Sequence, residues 1–321
     1  MSLNEFSLIQ KYFSSSAESK GVSLGVGDDC AILDIPEGKQ LVATVDTLVE
    51  GVHFPVSASP GDIAHRSLRV NLSDIAAMGA DPHWFTLALT LPKVTESWLC
   101  SFSQALLSDA SCFGCSLVGG DTTAGPLSIT MQVLGTIPIG SSLTRGGANE
   151  GDSIYVTGSL GEGAAALGLF DASADIKSKD IRSRLLRRFY RPEPRLKEGA
   201  CLRNLASAAI DISDGLIADL GHIAKSSGVG ANIEFDRLPV APYLLSLAGQ
   251  TCLNDWVLSG GDDYELCFTV PRRNKDFVET LIHSGELNAF YIGEMCKEVG
   301  VRSYDSRGQI MKLKKSGYRH F

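Results

Sequence analysis

Four short stretches set carboxylates where an apolar run breaks into glycine. They are "VGDDCAIL" at 26–33, "LVGGDTT" at 117–123, "AIDISDGL" at 209–216 and "LSGGDDYEL" at 258–266. Asp46 follows the run "QLVATV", and Asn71 and Asp74 lie three apart in "NLSDIAAMG". The acids to be explained are Asp28, Asp29, Asp46, Asp74, Asp121, Asp211 and Asp214. Two bare carboxylates 4 Å apart repel by roughly 4 kcal/mol at an effective dielectric near 20. A set that converges therefore needs cations or protons. Oxygen donors without histidine or cysteine select hard divalent ions such as Mg²⁺, Mn²⁺ or Ca²⁺. Mg²⁺ leaves coordination positions for water or substrate phosphate, and glycine lets phosphate approach backbone N–H groups. Thr44, Thr47, Thr122 and Thr123 flank the acids with neutral oxygens. Taken singly, each stretch reads as an ordinary turn or cap, and Asp214 before "GLIADL" reads as an N-cap. The set of them reads as a metal site.

The elements that must position these residues are legible in outline. "QLVATVDTLVEG" (40–51) is predicted as a strand and 61–82 as a helix, with an apolar stripe from Ile63 to Ala76 and a stop at Gly79 and Pro82. Asn71 and Asp74 then share one helix face. Strands are expected at 83–92, at "SLVGG" and at 127–139, with a helix at 97–114 between the first two. "GSSLTRGGANEGD" (140–152) is glycine-rich and polar, the natural domain junction. Beyond it come strands at "SIYVTG", "ANIEF", "YELCFTV" and "AFYIGEM", and helices at 195–207 and 215–227. Helices and strands alternate in both halves, so the fold class is α/β or α+β with two domains, 1–139 and 148–321. Most of the acids are expected where a strand ends or a helix starts, the ligand-binding position of open α/β sheets.

Composition bounds the partners. The chain has 321 residues and a net charge of −8, a sign that disfavours nucleic acid and anionic membrane as main partners. No uncharged apolar run approaches the ~18 residues of a membrane span, and the first residues lack a signal-peptide pattern. A cytoplasmic protein with reduced thiols is expected; the "CFGC" pair, Cys112 and Cys115, has no second pair to complete a zinc site. Phosphate-loop and protein-kinase signatures are absent. "GEGAAA" (161–166) imitates a dinucleotide loop, but the acid expected about 20 residues later is missing.

The stretches "GDDCAIL", "TVDTLVEGVHF", "NLSDIAAMGADP", "LVGGDTT", "LTRGGANEGD", "AIDISDGL" and "SGGDDYELCFTV", in this order, closely resemble the thiamine-monophosphate kinase family. That family falls within the superfamily of aminoimidazole-ribonucleotide synthetase, and the resemblance covers nearly the whole chain. It implies that superfamily's two-domain fold, with N-terminal sheets paired across a homodimer and nucleotide bound between the domains. It implies ATP-dependent phosphorylation of thiamine monophosphate to thiamine diphosphate with several Mg²⁺ ions. Metal ligands would fall on Asp29, Thr44, Asp46, Asp74, Asp121, Asp211 and Asp214. Nucleotide contacts would fall on Gly120, Asp121, Arg145 and Ser213, and substrate contacts on His53, Asp262 and Tyr318. Asp262 stands where the family commonly has glutamate. "DTLVEG" lacks the lysine of aminoimidazole-ribonucleotide synthetase, and no Cys precedes Cys30 as selenophosphate synthetase would require. The alternatives are another ATP-dependent enzyme of the superfamily or a non-catalytic metal- or nucleotide-binding protein. No protein nucleophile or base is expected: thiamine monophosphate already presents an ionised oxygen, so direct in-line transfer suffices.

Overall fold

The computed structural model describes residues 5–13, 20–170, 176–247, 250–311 and 317–318. The chain forms two units, one of residues 1–75 and 80–140, the other of 76–79 and 141–321. It passes between them at Gly140–Ser141, inside the glycine-rich segment.

Unit 1 contains α1 (Glu5–Tyr12), β1 (Val22–Leu24), β2 (Ile32–Leu33), β3 (Lys39–Val49), β4 (Asp81–Leu91), α3 (Glu96–Cys112), β5 (Ser116–Ala124), β6 (Ser128–Pro138) and all but the last two residues of α2 (Pro60–Ala77). Its four-stranded sheet runs β3-β6-β4-β5. The β3–β6 and β4–β6 pairs are antiparallel and β4–β5 is parallel. α2 starts where Ser59 Oγ accepts the Asp62 N–H at 3.2 Å and donates to the Asp62 carboxylate at 2.7 Å, with Pro60 as the first helical residue. It stops before Gly79, whose φ of +69° is the left-handed exit glycine takes at least cost. Ile63, Leu68, Leu72 and Ile75 are buried, as the predicted stripe requires.

Unit 2 contains β7 (Ser153–Thr157), α4 (Glu162–Leu167), α5 (Lys179–Tyr190), α6 (Leu196–Cys201), β8 (Ala208–Asp211), α7 (Leu216–Ser227), β9 (Gly230–Glu234), α8 (Pro242–Leu247), α9 (Gln250–Ser259), β10 (Leu266–Val270), α10 (Arg272–Ser284), β11 (Ala289–Cys296) and β12 (Gly300–Tyr304). Its six-stranded sheet runs β12-β9-β11-β7-β10-β8, antiparallel except for β12–β9. Every residue of β7, β8 and β10 is buried, which is why these strands read as continuous apolar runs and not as alternating ones. Tyr155 and Phe268 stack at 5.5 Å in its core. Mostly antiparallel sheets decide between the two expected fold classes in favour of α+β.

Three elements differ from their predicted extents. The strand expected to end at Gly120 continues to Ala124, because glycine fits the close approach of β4: a methyl at Gly120 would collide with the Leu87 carbonyl. α6 is one short segment where a helix over 195–207 was expected. The helix expected over 61–82 ends at Ala77, and its last predicted residues, Asp81 and Pro82, open β4.

Candidate active site

In unit 1, α2 presents its polar face to β3. The Thr44 hydroxyl donates to the Asp74 carboxylate at 2.5 Å, and the Asp46 N–H donates to the Asn71 side-chain oxygen at 3.1 Å. Asn71 is itself buried and held by the Ser67 carbonyl at 2.9 Å. The spacing of Asn71 and Asp74 thus serves two purposes: one side chain supports the backbone of β3 and the other adds a carboxylate beside it. Burial, with the Asp74 charge adding to it, pushes the Asp46 carboxyl up to about 6. His53 lies close by in sequence; its Nδ1 accepts the Val49 N–H at 3.0 Å, and its carbonyl accepts from Arg66 Nε at 3.1 Å.

The second acidic position of unit 1 lines a cavity of about 350 Å³. Asp28, Asp29, Gly119, Gly120, Asp121 and Thr122 form its polar wall, and Ile9, Phe13, Leu87 and Leu117 its apolar one. Asp28 accepts the N–H of Asp29 at 2.9 Å in an exposed loop. Carboxylates and glycine backbone beside an apolar wall suit a ligand with both a charged and an apolar part. The register places Asp46, Met131, Leu87 and Gly120 in one row across the sheet. Asp46 and the Gly120–Asp121 pair are therefore three strand spacings apart, roughly 14 Å. Unit 1 carries two acidic positions, not one. Both Asp46 and Asp121 lie inside strands, contrary to the expected placement at strand ends, since each strand runs several residues past its carboxylate. Among the described residues, no three His, Cys, Asp or Glu side chains form a group that could hold a metal ion by themselves.

In unit 2 Asp211, Ser213, Asp214, Asp262 and Tyr318 gather around one turn, whereas the Arg145 backbone lies apart, beside Ser227 at the far end of α7. β8 ends in the buried Asp211, followed by Ser213, Asp214 and Gly215 before α7. The turn is not capped by Asp214. Asp219, the fourth residue of α7 and buried, reaches back so that one carboxylate oxygen accepts the N–H groups of Ser213 at 3.1 Å and of Asp214 and Gly215 at 3.0 Å. Burial and the neighbouring Asp214 charge push its carboxyl up to about 7 against the pull of these donors. The Asp262 N–H donates to the Ser213 carbonyl at 2.9 Å, and the Tyr318 N–H to the Asp214 carbonyl at 3.0 Å. Asp262 and Tyr264 both hold left-handed backbone, with φ of +67° and +51°, and the Tyr264 hydroxyl donates to Asp262 at 3.0 Å. Arg145 is exposed in the loop whose Thr144 carbonyl accepts from Ala209 of β8, and its own carbonyl accepts from Ser227 Oγ at 3.4 Å.

The other acids of "GGDDYEL" are structural. Asp263, 1% exposed, accepts the N–H groups of Gly161 and Gly163 at 2.7 and 3.0 Å. The false dinucleotide loop is thus filled by the protein's own carboxylate. Glu265 takes Arg188, the Nε and Nη2 of Arg195 and the Thr157 hydroxyl, which pairs two of the cations of 179–197. Cys112 is exposed and Cys115 buried, its thiol pushed up to about 12 by burial; none of the eight cysteines is in a disulfide.

Sequence reasoning passed over Asp219 and Asp263. The available signals were an acid in the first turn of a helix that follows a glycine, for Asp219, and a second acid adjoining the first, for Asp263.

Comparison with known proteins follows the same division. The model of "AIR synthase related protein, N-terminal domain" matches residues 27–137, and that of the corresponding C-terminal domain matches 149–306. A thiamine-monophosphate kinase of Escherichia coli strain K12 is 46% identical, covering 100% of this chain and 99% of its own length. The crystal structure of a thiamine-monophosphate kinase from Stenotrophomonas maltophilia K279a is 44% identical, with a TM-score of 0.85 over 94% of this chain and 97% of that one. A second structure, described as AaThiL complexed with AMPPCP and TMP, is 30% identical, with a TM-score of 0.78 over 98% of this chain and 96% of that one. With both domain models matched and this identity maintained from end to end, the chain belongs to the AIR synthase related proteins and, within them, to the thiamine-monophosphate kinase family.

Proposed function

We propose that this protein transfers the γ-phosphoryl group of ATP to the phosphate of thiamine monophosphate, giving thiamine diphosphate and ADP. The observation that carries the reading is full-length similarity to thiamine-monophosphate kinases, one of which binds AMPPCP and TMP together. AMPPCP stands in for ATP, its methylene bridge replacing the β–γ oxygen.

The residues fit a divalent cation. Asp46 and Asp74 are two carboxylates drawn together beside a hydroxyl, and burial makes the free Asp46 charge costly. The donor set is all oxygen, which favours Mg²⁺. Several Mg²⁺ ions would be held, with Asp29, Thr44, Asp46, Asp74 and Asp121 as ligands on unit 1 and Asp211 and Asp214 as ligands on unit 2. When bound, Mg²⁺ supplies the positive charge that lets two phosphate groups approach. Gly120 and Ser213 would contact nucleotide phosphates. Arg145 pairs with a phosphate as a planar fork. His53, Asp262 and Tyr318 orient thiamine monophosphate. No side chain removes a proton, because the acceptor oxygen is already ionised, and transfer is a single in-line displacement.

Leu41, Ala43, Val45 and Thr47, exposed along the edge strand β3, support a homodimer formed through unit 1. Eight free thiols support a reducing, cytoplasmic setting. The decisive experiment couples ADP formation to a detectable reaction, with thiamine monophosphate and Mg²⁺ each present or withheld. ADP should appear only when both are present. Phosphate release without thiamine monophosphate would indicate a phosphatase, and no turnover under any condition a binding protein.

A further inference from the structure

The turn at 213–215 is organised by a residue outside the proposed ligand set. Asp219 collects three successive N–H groups on one oxygen. Each peptide group is a rigid plane, so fixing its N–H also fixes the carbonyl on its other side. The plane whose N–H belongs to Asp214 carries the Ser213 carbonyl, and that carbonyl accepts the Asp262 N–H at 2.9 Å. The plane whose N–H belongs to Gly215 carries the Asp214 carbonyl, which accepts the Tyr318 N–H at 3.0 Å. The same two planes that are held from inside by Asp219 therefore hold the two segments bearing Asp262 and Tyr318. The turn is tightly enclosed: Gly215 has a φ of +124°, and a methyl there would press on the Ser259 and Gly260 backbone. A methyl at Gly317 would press on Ala218, the residue before Asp219. Polarisation along the chain from N–H through carbonyl to the next N–H strengthens each bond in the series.

We propose that Asp219 is a positioning residue of the kinase site, whose carboxylate sets the peptide planes on which Asp214, Asp262 and Tyr318 are mounted. The inference rests on the functional reading above, in which those three residues meet metal and substrate. Asp219 touches neither; it acts through the turn. Its loss should misplace several substrate contacts together, and a misplacement of about 1 Å costs on the order of 10²-fold in rate.

The test uses the full-length protein with Asp219→Ala and Asp219→Asn. Steady-state ADP formation gives kcat and KM for thiamine monophosphate, and hydrogen exchange is followed by peptide mass. Asp219→Ala should lower kcat/KM for thiamine monophosphate by about 10²-fold. Asp219→Asn, whose amide oxygen still accepts N–H groups, should recover at least about tenfold of it. Exchange should accelerate in peptides covering 213–218 and 259–265 while those covering β7 stay protected. The proposal is overturned if Asp219→Ala stays within threefold of the wild type. It is equally overturned if Asp219→Asn is no better than Asp219→Ala, or if exchange rises uniformly through the sheet, which marks a merely structural loss. Should Asp219→Ala not fold, Asp219→Asn decides alone: faster exchange confined to the two loops together with a reduced kcat/KM supports the proposal, and wild-type values refute it. A wild-type protein that makes no ADP with thiamine monophosphate defeats the functional reading, while the exchange pattern still judges the turn.

Discussion

At the scale of single residues, the free protein holds a carboxylate where it is uncomfortable. Asp46 is half-buried next to Asp74, and its acid is pushed from 3.8 up to about 6. A shift of that size corresponds to about 1–3 kcal/mol of strain in the ionised form at neutral pH. Removing the charge should relieve the strain and, on the proposed function, also remove a ligand for the divalent cation. Asp46→Asn is therefore expected to lose at least about 10²-fold in turnover and to be more stable than the wild type in EDTA by about 1 kcal/mol. Calorimetry with EDTA and the ADP assay with Mg²⁺ check the two halves. A variant both inactive and less stable would make Asp46 a structural residue. The types of residue that carry this argument were legible in the sequence, because Asp46 and Asp74 stand in stretches of their own. What was not legible is which oxygen each neighbour takes. Asn71 and Asp74 share a helix face, yet one supports a strand backbone and the other receives a hydroxyl, a division fixed only by packing.

At the scale of elements, the structure spends buried carboxylates to hold turns. Asp219 fixes the turn before α7, and Asp263 fixes the one before α4. Asp263→Asn would keep one acceptor and turn a side-chain N–H₂ toward Gly161 or Gly163, facing donor with donor. An unpaired buried donor costs about 1–3 kcal/mol. Urea denaturation should show a loss in that range, with the ADP assay reporting any change in the adjoining Asp262. Stability within a few tenths of a kcal/mol of the wild type would deny Asp263 this role. The sequence made most elements visible, since α2 has a clean stripe and β6 a clean alternation. Its failures have physical causes. Gly119 and Gly120 read as a strand end but allow β5 to lie close against β4. The doubled acid in "GGDDYEL" reads as one motif, although Asp262 turns outward with left-handed backbone and Asp263 turns into the core. Neighbouring residues in a left-handed turn part company in a way that one-dimensional spacing does not encode.

At the scale of the molecule, β3 poses a problem that another copy of the chain would solve. It is the edge of the unit 1 sheet, and its 11 residues span roughly 37 Å. Leu41, Ala43, Val45 and Thr47 alternate as its exposed residues, with Leu41 46% and Val45 58% exposed. Ile139, 66% exposed, follows β6 at the end where β3 begins, its N–H donating to the Gly38 carbonyl at 3.1 Å. Long apolar edges invite pairing unless charge, proline or a bulge prevents it. None of the exposed residues in this row carries charge. On the other face the Thr44 side chain reaches Asp74 of α2, and at the edge Asn71 takes the Asp46 N–H, so the row from Leu41 to Thr47 is what remains for a partner. Light scattering coupled to gel filtration should give a mass near twice the 34.2 kDa of one chain. Leu41→Lys together with Val45→Lys should shift it to one chain, with unchanged circular dichroism, because both positions are open to solvent within the protomer. A double variant that keeps the wild-type mass would move the interface elsewhere, and a monomeric wild type would leave the row unpartnered at that concentration. If the double variant also loses activity while each chain stays folded, the dimer supports the site as well as covering the edge, because Thr44 and Asp46 alternate with Leu41 and Val45 along the same strand and any slip of β3 moves both faces together.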